Sequence, residues 1–308
     1  MTEHVAQLEF LLIDVFTDHP FGGSRLTVFP RGGDLPPWLM HKLAQEMGPG
    51  ESAFIVSSVQ TGQTRAGLRV FTPQVEIPFA GHSMLGATFT LDVIGWRATA
   101  AAGTSFLWEL EAGCYEVTMR AHGQNMIYSL RHDAPVFLGE YYHRGKVARA
   151  LGIQEGELAI TGLPCEVIST GLPIHIVPVG SLAAVRRADL RHREAEAIAR
   201  DLGFGDLFLF TFETENPAAT VHCRMFAPNL GIPEDPASGA AFGSLAAYLI
   251  KHRLARAANH LTFLGEQGLE MGRPSLSHVE TAIEKGRAVD IRVGGQCVLV
   301  GRGHILLP

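Results

Sequence analysis

Cysteine, charge and long apolar runs are all scarce in this 308-residue chain, and each scarcity excludes something. The four cysteines (Cys114, Cys165, Cys223, Cys297) lie dozens of residues apart with no Cys-x-x-Cys pair. In a chain this long that spacing implies reduced, structural thiols and a cytoplasmic location. Charged residues make up only 18%, with 31 acidic against 25 basic for a net −6, which is not the basic surface of a nucleic-acid binder. The longest stretch without a charged side chain, Val167 to Val185, is broken by Gly171, Pro173, Pro178 and Gly180. It reads as strands and turns, not as a membrane-spanning helix. The start, Met1-Thr2-Glu3-His4, carries no basic segment, and Asp14 interrupts the apolar run Phe10 to Ile13, so no signal peptide is expected.

Chemical signatures are missing as well. None of the 14 histidines pairs with another at metal-binding helical spacing, and His222 and Cys223, neighbours on an expected strand, point to opposite faces. There is no Gly-x-Gly-x-x-Gly or Gly-x-x-x-x-Gly-Lys run and no Gly-x-Ser-x-Gly elbow. The expectation is therefore a site with no metal and no cofactor, built on carboxylate and histidine.

Apolar residues reach 46%, and 34 glycines with 17 prolines call for many tight turns between strands. The length suits about two domains. An internal repeat sharpens this. Arg69-Val-Phe-Thr-Pro-Gln-Val-Glu-Ile-Pro78 and Arg224-Met-Phe-Ala-Pro-Asn-Leu-Gly-Ile-Pro233 share Arg, Phe, Pro, Ile and Pro at one offset, 224 − 69 = 155. The same register pairs Asp34-Leu35 with Asp189-Leu190, Ala44 with Ala199 and Gly48 with Gly203. It also pairs Gly50-Glu51 with Gly205-Asp206, Ser83 with Ser238, and Glu111-x-Gly113 with Glu266-x-Gly268. Two homologous α+β halves are expected, each a curved, mainly antiparallel sheet around a central helix. The first spans 1–131 and the second 132–308, joined near Arg131 to Pro135, with strands near 292–308 able to return to the first half.

In the first half, Trp38-Leu39, Leu43 and Met47 repeat at helical spacing after Pro36-Pro37 and stop at Gly48-Pro49-Gly50. A strand is expected from Ser52 to Val59, another at Leu68 to Phe71, a central helix from Gly81 to Val93, then strands at Phe106 to Leu110 and Glu116 to Met119. The second half follows the same plan: a helix through Ala195, Ile198 and Leu202, strands at Leu207 to Phe212 and Cys223 to Phe226, and a helix from Pro236 to Ile250. Asp235 is the expected N-cap of that helix and Pro236 a first-turn proline.

The repeat directs attention to the turn opening each central helix, Pro78-Phe-Ala-Gly81-His82-Ser83 and Pro233-Glu-Asp235-Pro-Ala-Ser238-Gly239. A helix start presents unpaired amides and a positive dipole end. Two such starts facing one cleft would hold a small carboxylate, with Gly81, Ser83, Ser238 and Gly239 as substrate-binding candidates. Glu51, at a loop-to-strand edge where partial burial favours acid/base work, is the catalytic candidate, with His82 and Asp235. Taken singly, Glu51 reads first as a solvated glutamate and Asp235 as a capping aspartate, while His82 reads equally as a core or capping histidine.

At these residues the chain resembles the PhzF phenazine-biosynthesis family. The carrying segments are Asp14-Val-Phe-Thr-Asp-His-Pro-Phe-Gly-Gly23, Gly50-Glu-Ser-Ala-Phe54, Arg69-Val-Phe-Thr-Pro73 and Phe79-Ala-Gly-His-Ser-Met-Leu-Gly86. Gly231-Ile-Pro-Glu-Asp-Pro-Ala-Ser-Gly239, Glu266-Gln-Gly268 and Gly272-Arg-Pro-Ser275 continue the match. The resemblance implies the diaminopimelate epimerase-like fold, a homodimer, and a cofactor-free isomerase whose acid/base falls on Glu51 and whose histidine and aspartate fall on His82 and Asp235. It implies a proton moved on a small carboxylate-bearing, cyclic or unsaturated metabolite. Racemases of the wider fold carry a cysteine on each turn; here the matching positions are Ala80 and Ala237, which excludes two-base thiol chemistry. The chain departs from the family pattern at Ser24-Arg25, Ser83-Met84 and Ala240, which alters the pocket wall. A degenerate metabolite-binding protein and an amino-acid epimerase are the alternative readings.

Overall fold

The computed structural model describes residues 6–56, 64–96, 104–203, 205–228, 232–255 and 258–307. The expectations for Met1 to His4, for 57–59 of the first-half strand and for Gly231 lie outside them. The chain divides into two compact units, Met1–Arg131 with Gly294–Pro308, and His132–Val293.

The first unit runs β1 (Gln7–Val15), β2 (Ser24–Phe29), α1 (Pro37–Glu46), β3 (Glu51–Ile55), β4 (Arg65–Phe71), β5 (Glu76–Ile77), α2 (Gly81–Val93), β6 (Ser105–Leu110), β7 (Gly113–His122) and β8 (Asn125–Arg131). β1 pairs antiparallel with β2, β2 parallel with β3, β3 antiparallel with β4, β4 parallel with β6, and β6 antiparallel with β7. The second unit begins with β9 (Val136–Tyr141), α3 (Arg144–Leu151), α4 (Glu155–Ala159), β10 (Cys165–Ser169), β11 (Pro173–Pro178), α5 (Leu182–Arg187) and α6 (His192–Leu202). It continues with β12 (Leu207–Thr211), β13 (Val221–Ala227), β14 (Ile232–Asp235), α7 (Gly239–Lys251), β15 (His260–Gln267), β16 (Ser275–Glu284) and β17 (Arg287–Gly295). From β10 through β16 the pairings repeat the first unit in order and sense.

The last strand, β18 (Cys297–Leu306), lies antiparallel on β1, where β9 lies antiparallel on β10 in the second unit. Left uncovered, this edge of β1 would invite unwanted pairing. The C-terminal strand supplies the cover.

Each unit is organised around one largely apolar and therefore buried helix, α2 in the first and α7 in the second. In α2, Ser83 to Thr88, Thr90 and Leu91 are buried, and in α7 every residue from Ala241 to Ile250 is. α2 packs on β1, β2, β3, β7, β8 and β18, so the sheet curls around it. Gly86 makes the approach close: a Cβ there would lie 2.4 Å from Leu26 Cδ2 and 3.1 Å from Val15 Cγ2. Gly86→Val is therefore expected to overpack this contact and cost about 1–3 kcal/mol, read as a lowered midpoint in thermal or denaturant unfolding.

Outside each sheet sit the amphipathic helices. α1 places Met40, Leu43 and Ala44 against Phe29, Phe54 and Phe71, with Phe29 and Phe54 stacked at 4.6 Å. In the second unit α3 to α6 cover a larger cluster including Tyr141, Val147, Leu151, Val185, Ile198 and Leu209. Of these four helices only α6 is expected from the sequence. The others are short, and they draw their stability from packing more than from a legible period.

The sequence register needs one correction. The 155 offset holds on the strands, since Ser52–Phe71 and Leu207–Phe226 are equivalent rungs. Beyond them it becomes 239 − 81 = 158, because Val70 pairs with Ile77 while Met225 pairs with Asp235. Three extra residues lie in the β13–β14 connection. Helix α7 accordingly starts at Gly239, not Pro236, and its N-cap is Ser238, not Asp235. Asp235 is held in β14 by its pairing with Met225. Ser238, and not Ala237, is the counterpart of Ala80, the N-cap of α2. Neither position carries a thiol, so the exclusion of paired cysteines on the turns stands on the corrected register.

Candidate active site

In the first unit the sequence candidates converge. β3 opens at Glu51, which pairs with Leu26 on the parallel neighbour β2. Gly50, at φ +118°, lets the chain turn into that strand against Arg25 O. α2 then delivers His82 and Ser83 from its first turn. Ser83 Oγ donates to Glu51 Oε2 at 2.5 Å, and His82 Nε2 lies 3.3 Å from the same oxygen. That imidazole nitrogen is buried and its approach is off the angle of a hydrogen bond. Glu51 and His82 are each about one-fifth exposed, so both reach solvent at one edge. The amides of Gly81, His82 and Ser83 open the helix with no carbonyl a turn ahead of them. A half-buried carboxylate, an imidazole and a helix start are thus assembled within the first unit.

The corresponding turn of the second unit is built differently. Asp235 Oδ2 accepts from Ser238 Oγ at 2.6 Å, and Oδ1 from the amide of Ala237 at 3.3 Å. Ser238 therefore directs its hydroxyl hydrogen at Asp235. Gly239 is the first residue of α7 and is partly exposed.

Sequence reasoning missed the residue that holds this turn. Gln267 is fully buried; its Nε2 donates to Asp235 O at 2.5 Å and to Ser238 Oγ at 3.1 Å, and its Oε1 accepts from Ser238 N at 3.2 Å. Ser275 Oγ adds a bond to Pro236 O at 2.8 Å. Gly268 is required beside them, since its φ is +77° and a Cβ would lie 2.7 Å from Pro236 O. Gln267, Gly268 and Ser275, from the Glu266-Gln-Gly and Gly272-Arg-Pro-Ser segments, are the clamp on the Asp235 turn. Gln267→Leu leaves these buried groups without partners and is expected to cost about 1–3 kcal/mol in denaturant unfolding.

A second missed feature is ionic. Arg69 meets Glu76 through two hydrogen bonds, at 2.7 and 2.6 Å, and Arg224 meets Glu234 the same way, both at 2.8 Å. The repeat flags both arginines, but the glutamates differ by 158 and escape an ungapped match. Glu234 is the residue before Asp235. Behind Arg224, fully buried His222 bridges Glu266 at 2.7 Å and Glu270 at 2.9 Å. Burial alone would lower this imidazole, but the two carboxylates outweigh it and raise its pKa to about 9. Glu266 also accepts the amides of Glu215 and Asn216, at 2.7 and 2.8 Å. Burial opposes the charge on Glu266 and Glu270, yet hydrogen bonds from His222 to both, from these two amides to Glu266 and from its own amide to Glu270 keep both below the usual carboxylate range.

Among the described residues no group of three or more His, Cys, Asp or Glu side chains is placed to hold a metal ion. Among them, too, no helix is long and apolar enough to cross a membrane.

Comparison with known proteins now decides the family. The family model described as phenazine biosynthesis-like protein (PhzC-PhzF) matches residues 13–303. The chain belongs to this family. It is 31% identical over 301 residues to the trans-2,3-dihydro-3-hydroxyanthranilate isomerase of Pseudomonas aeruginosa, covering 96% of this chain and 99% of that one. It is 28% identical over 300 residues to an uncharacterized isomerase of Clostridium acetobutylicum, covering 96% and 97%. The crystal structure of a Bacillus anthracis phenazine biosynthesis protein of the PhzF family superposes with a TM-score of 0.89 at 23% identity, over 98% of this chain and 100% of that one. The α+β architecture is thus that of the PhzF proteins, within the diaminopimelate epimerase-like fold. With relatives named isomerases over nearly its full length, the protein is an isomerase of the PhzF family.

Proposed function

We propose that this isomerase moves a proton between carbons of a small carboxylate-bearing, cyclic or unsaturated metabolite, with Glu51 as the single acid/base. One observation carries the reading: Glu51 is the carboxylate on which two first-turn side chains of a buried helix converge, Ser83 at 2.5 Å and His82 at 3.3 Å. A bound carboxylate with nearby unsaturation acidifies the adjacent C–H. Glu51 takes that proton, the electron pair shifts along the unsaturated system, and the resulting Glu51 acid returns the proton at another carbon. The sum is an isomerisation with nothing gained or lost.

His82 acts as the polar neighbour that orients the substrate. The first-turn amides at Gly81 and Ser83 in α2 serve a substrate carboxylate, as helix starts favour anions. Asp235, tied to Ser238 and so fixed in direction, accepts a hydrogen bond from a substrate N–H or O–H. The P. aeruginosa relative is named for a cyclic unsaturated acid of this class. Ser24, Ser83 and Ala240, where the chain departs from the family pattern, argue for a different member of the class as the natural substrate.

The test is a panel of cyclic and α,β-unsaturated acids, trans-2,3-dihydro-3-hydroxyanthranilate included, incubated in D₂O and followed by NMR. Enzyme-dependent deuterium incorporation with isomer formation is expected for at least one. Silence across the panel would remove the reading.

A further inference from the structure

Ser83 has a hydroxyl that the structure commits to Glu51. We propose that Ser83 is a positioning residue: it pins Oε2 of Glu51, so that Oε1 is the oxygen that takes and returns the proton. This rests on the acid/base role proposed for Glu51.

A glutamate carboxylate has two equivalent oxygens and a broad terminal torsion, so an untethered one presents either oxygen at any tilt. Ser83 removes that freedom. Its side chain is fully buried, and it sits on α2, which Gly86 seats closely against Val15 and Leu26. The origin of the hydroxyl is therefore immobile. An O–H···O⁻ bond of 2.5 Å is charge-assisted and directional. His82 Nε2 lies 3.3 Å from the same Oε2, so both neighbours crowd one oxygen. Among the described residues no group hydrogen-bonds Oε1. The carboxylate is thus asymmetric, with one oxygen held by the protein and one left for a substrate carbon. In the reaction the proton leaves that carbon for Oε1 and later returns from Oε1, while the hydroxyl proton stays on Ser83.

The experiment has an arm that needs no substrate. With ¹³C-labelled glutamate, the Glu51 side-chain carboxyl signal is identified by its loss in Glu51→Gln. Ser83→Ala is expected to shift that signal, and Ser83→Thr, which keeps the hydroxyl, to bring it back. On a substrate found by the deuterium panel, Ser83→Ala is expected to lower kcat about 10- to 100-fold, the effect of one hydrogen bond to a charged group. KM should change little, since binding is left intact, and Ser83→Thr should restore most of the rate. Thermal unfolding of each variant reports on the fold. Ser83→Cys, a weaker donor of similar size, repeats both readings should alanine disturb packing. An unmoved Glu51 signal in Ser83→Ala overturns the proposal, as does a moved signal with an unchanged kcat. A panel with no turnover counts against the proposed reaction alone, because the carboxyl signal still decides whether Ser83 holds Glu51.

Discussion

Glu51→Gln is expected to abolish turnover while the fold and ligand binding stay nearly unchanged. Glutamine keeps the length of the side chain, and its amide oxygen still accepts from Ser83 Oγ, but it exchanges no proton at neutral pH. General acid–base catalysis is worth about 10²–10⁴-fold, and one group that both takes and returns the proton should fall at or beyond the upper end. The control is Asp206→Asn. Asp206 precedes Leu207 as Glu51 precedes its equivalent Ser52, and it is buried, yet it stands in the second unit, where no His-Ser pair opens the helix. It should leave turnover within a few-fold. Rates on a substrate from the deuterium panel, beside circular dichroism and ligand titration, read the outcome. Activity kept in Glu51→Gln and lost in Asp206→Asn would put the acid/base on the wrong unit.

His222→Leu should be the most damaging change to stability, at about 3–5 kcal/mol, because it strands the buried Glu266 carboxylate without its cation and takes a partner from the partly buried Glu270. Denaturant unfolding at pH 7 measures it. The pH profile gives an independent reading. The His222 pKa rises on folding from 6.5 to about 9, so its contribution is complete below 6.5 and disappears as pH climbs through 9. Glu266 and Glu270 move the other way from 4.5, so theirs is present above that value and is lost as pH falls through their lowered pKa values. Stability supplied by this cluster is therefore greatest between 4.5 and 6.5 and declines toward 9. In His222→Leu the decline from 6.5 to 9 should flatten. An unchanged slope would show that the imidazolium is not the titrating group.

Much of the molecule was legible in one dimension, for reasons that differ by residue. Arg69-x-Phe71 and Arg224-x-Phe226 announce a duplication because in each copy the arginine must meet a glutamate and its guanidinium lies over the phenylalanine ring, at 5.3 and 4.7 Å. The buried central helices show as long runs of small and apolar residues, and Gly86 shows as a glycine inside one. Glu51, His82 and Ser83 stand out in the sequence because they fall at a strand edge and a helix start, positions that local chain chemistry marks. Other features left no local mark. His222 meets Glu266 and Glu270 across 44 and 48 residues, and Gln267 reaches back 29 to Ser238. The three residues added in the β13–β14 connection are invisible to an ungapped comparison, so Asp235 was read as a helix cap when strand pairing holds it in β14.

What the sequence determined by itself was the plan: two copies of one α+β unit, a carboxylate and a histidine at the turn of the first, and no thiol at either turn. Those are properties of composition, spacing and backbone preference, which neighbouring residues already express. Tertiary structure decided the rest. It sent β18 back to cover the edge of β1, and it turned the hydroxyl of Ser83 toward Oε2 of Glu51. It also enclosed His222 between two carboxylates that hold its charge. Each of these depends on which distant atoms come within about 3 Å of one another, the range over which hydrogen bonds form and fix direction. That distance is set only when the sheets have closed around their helices.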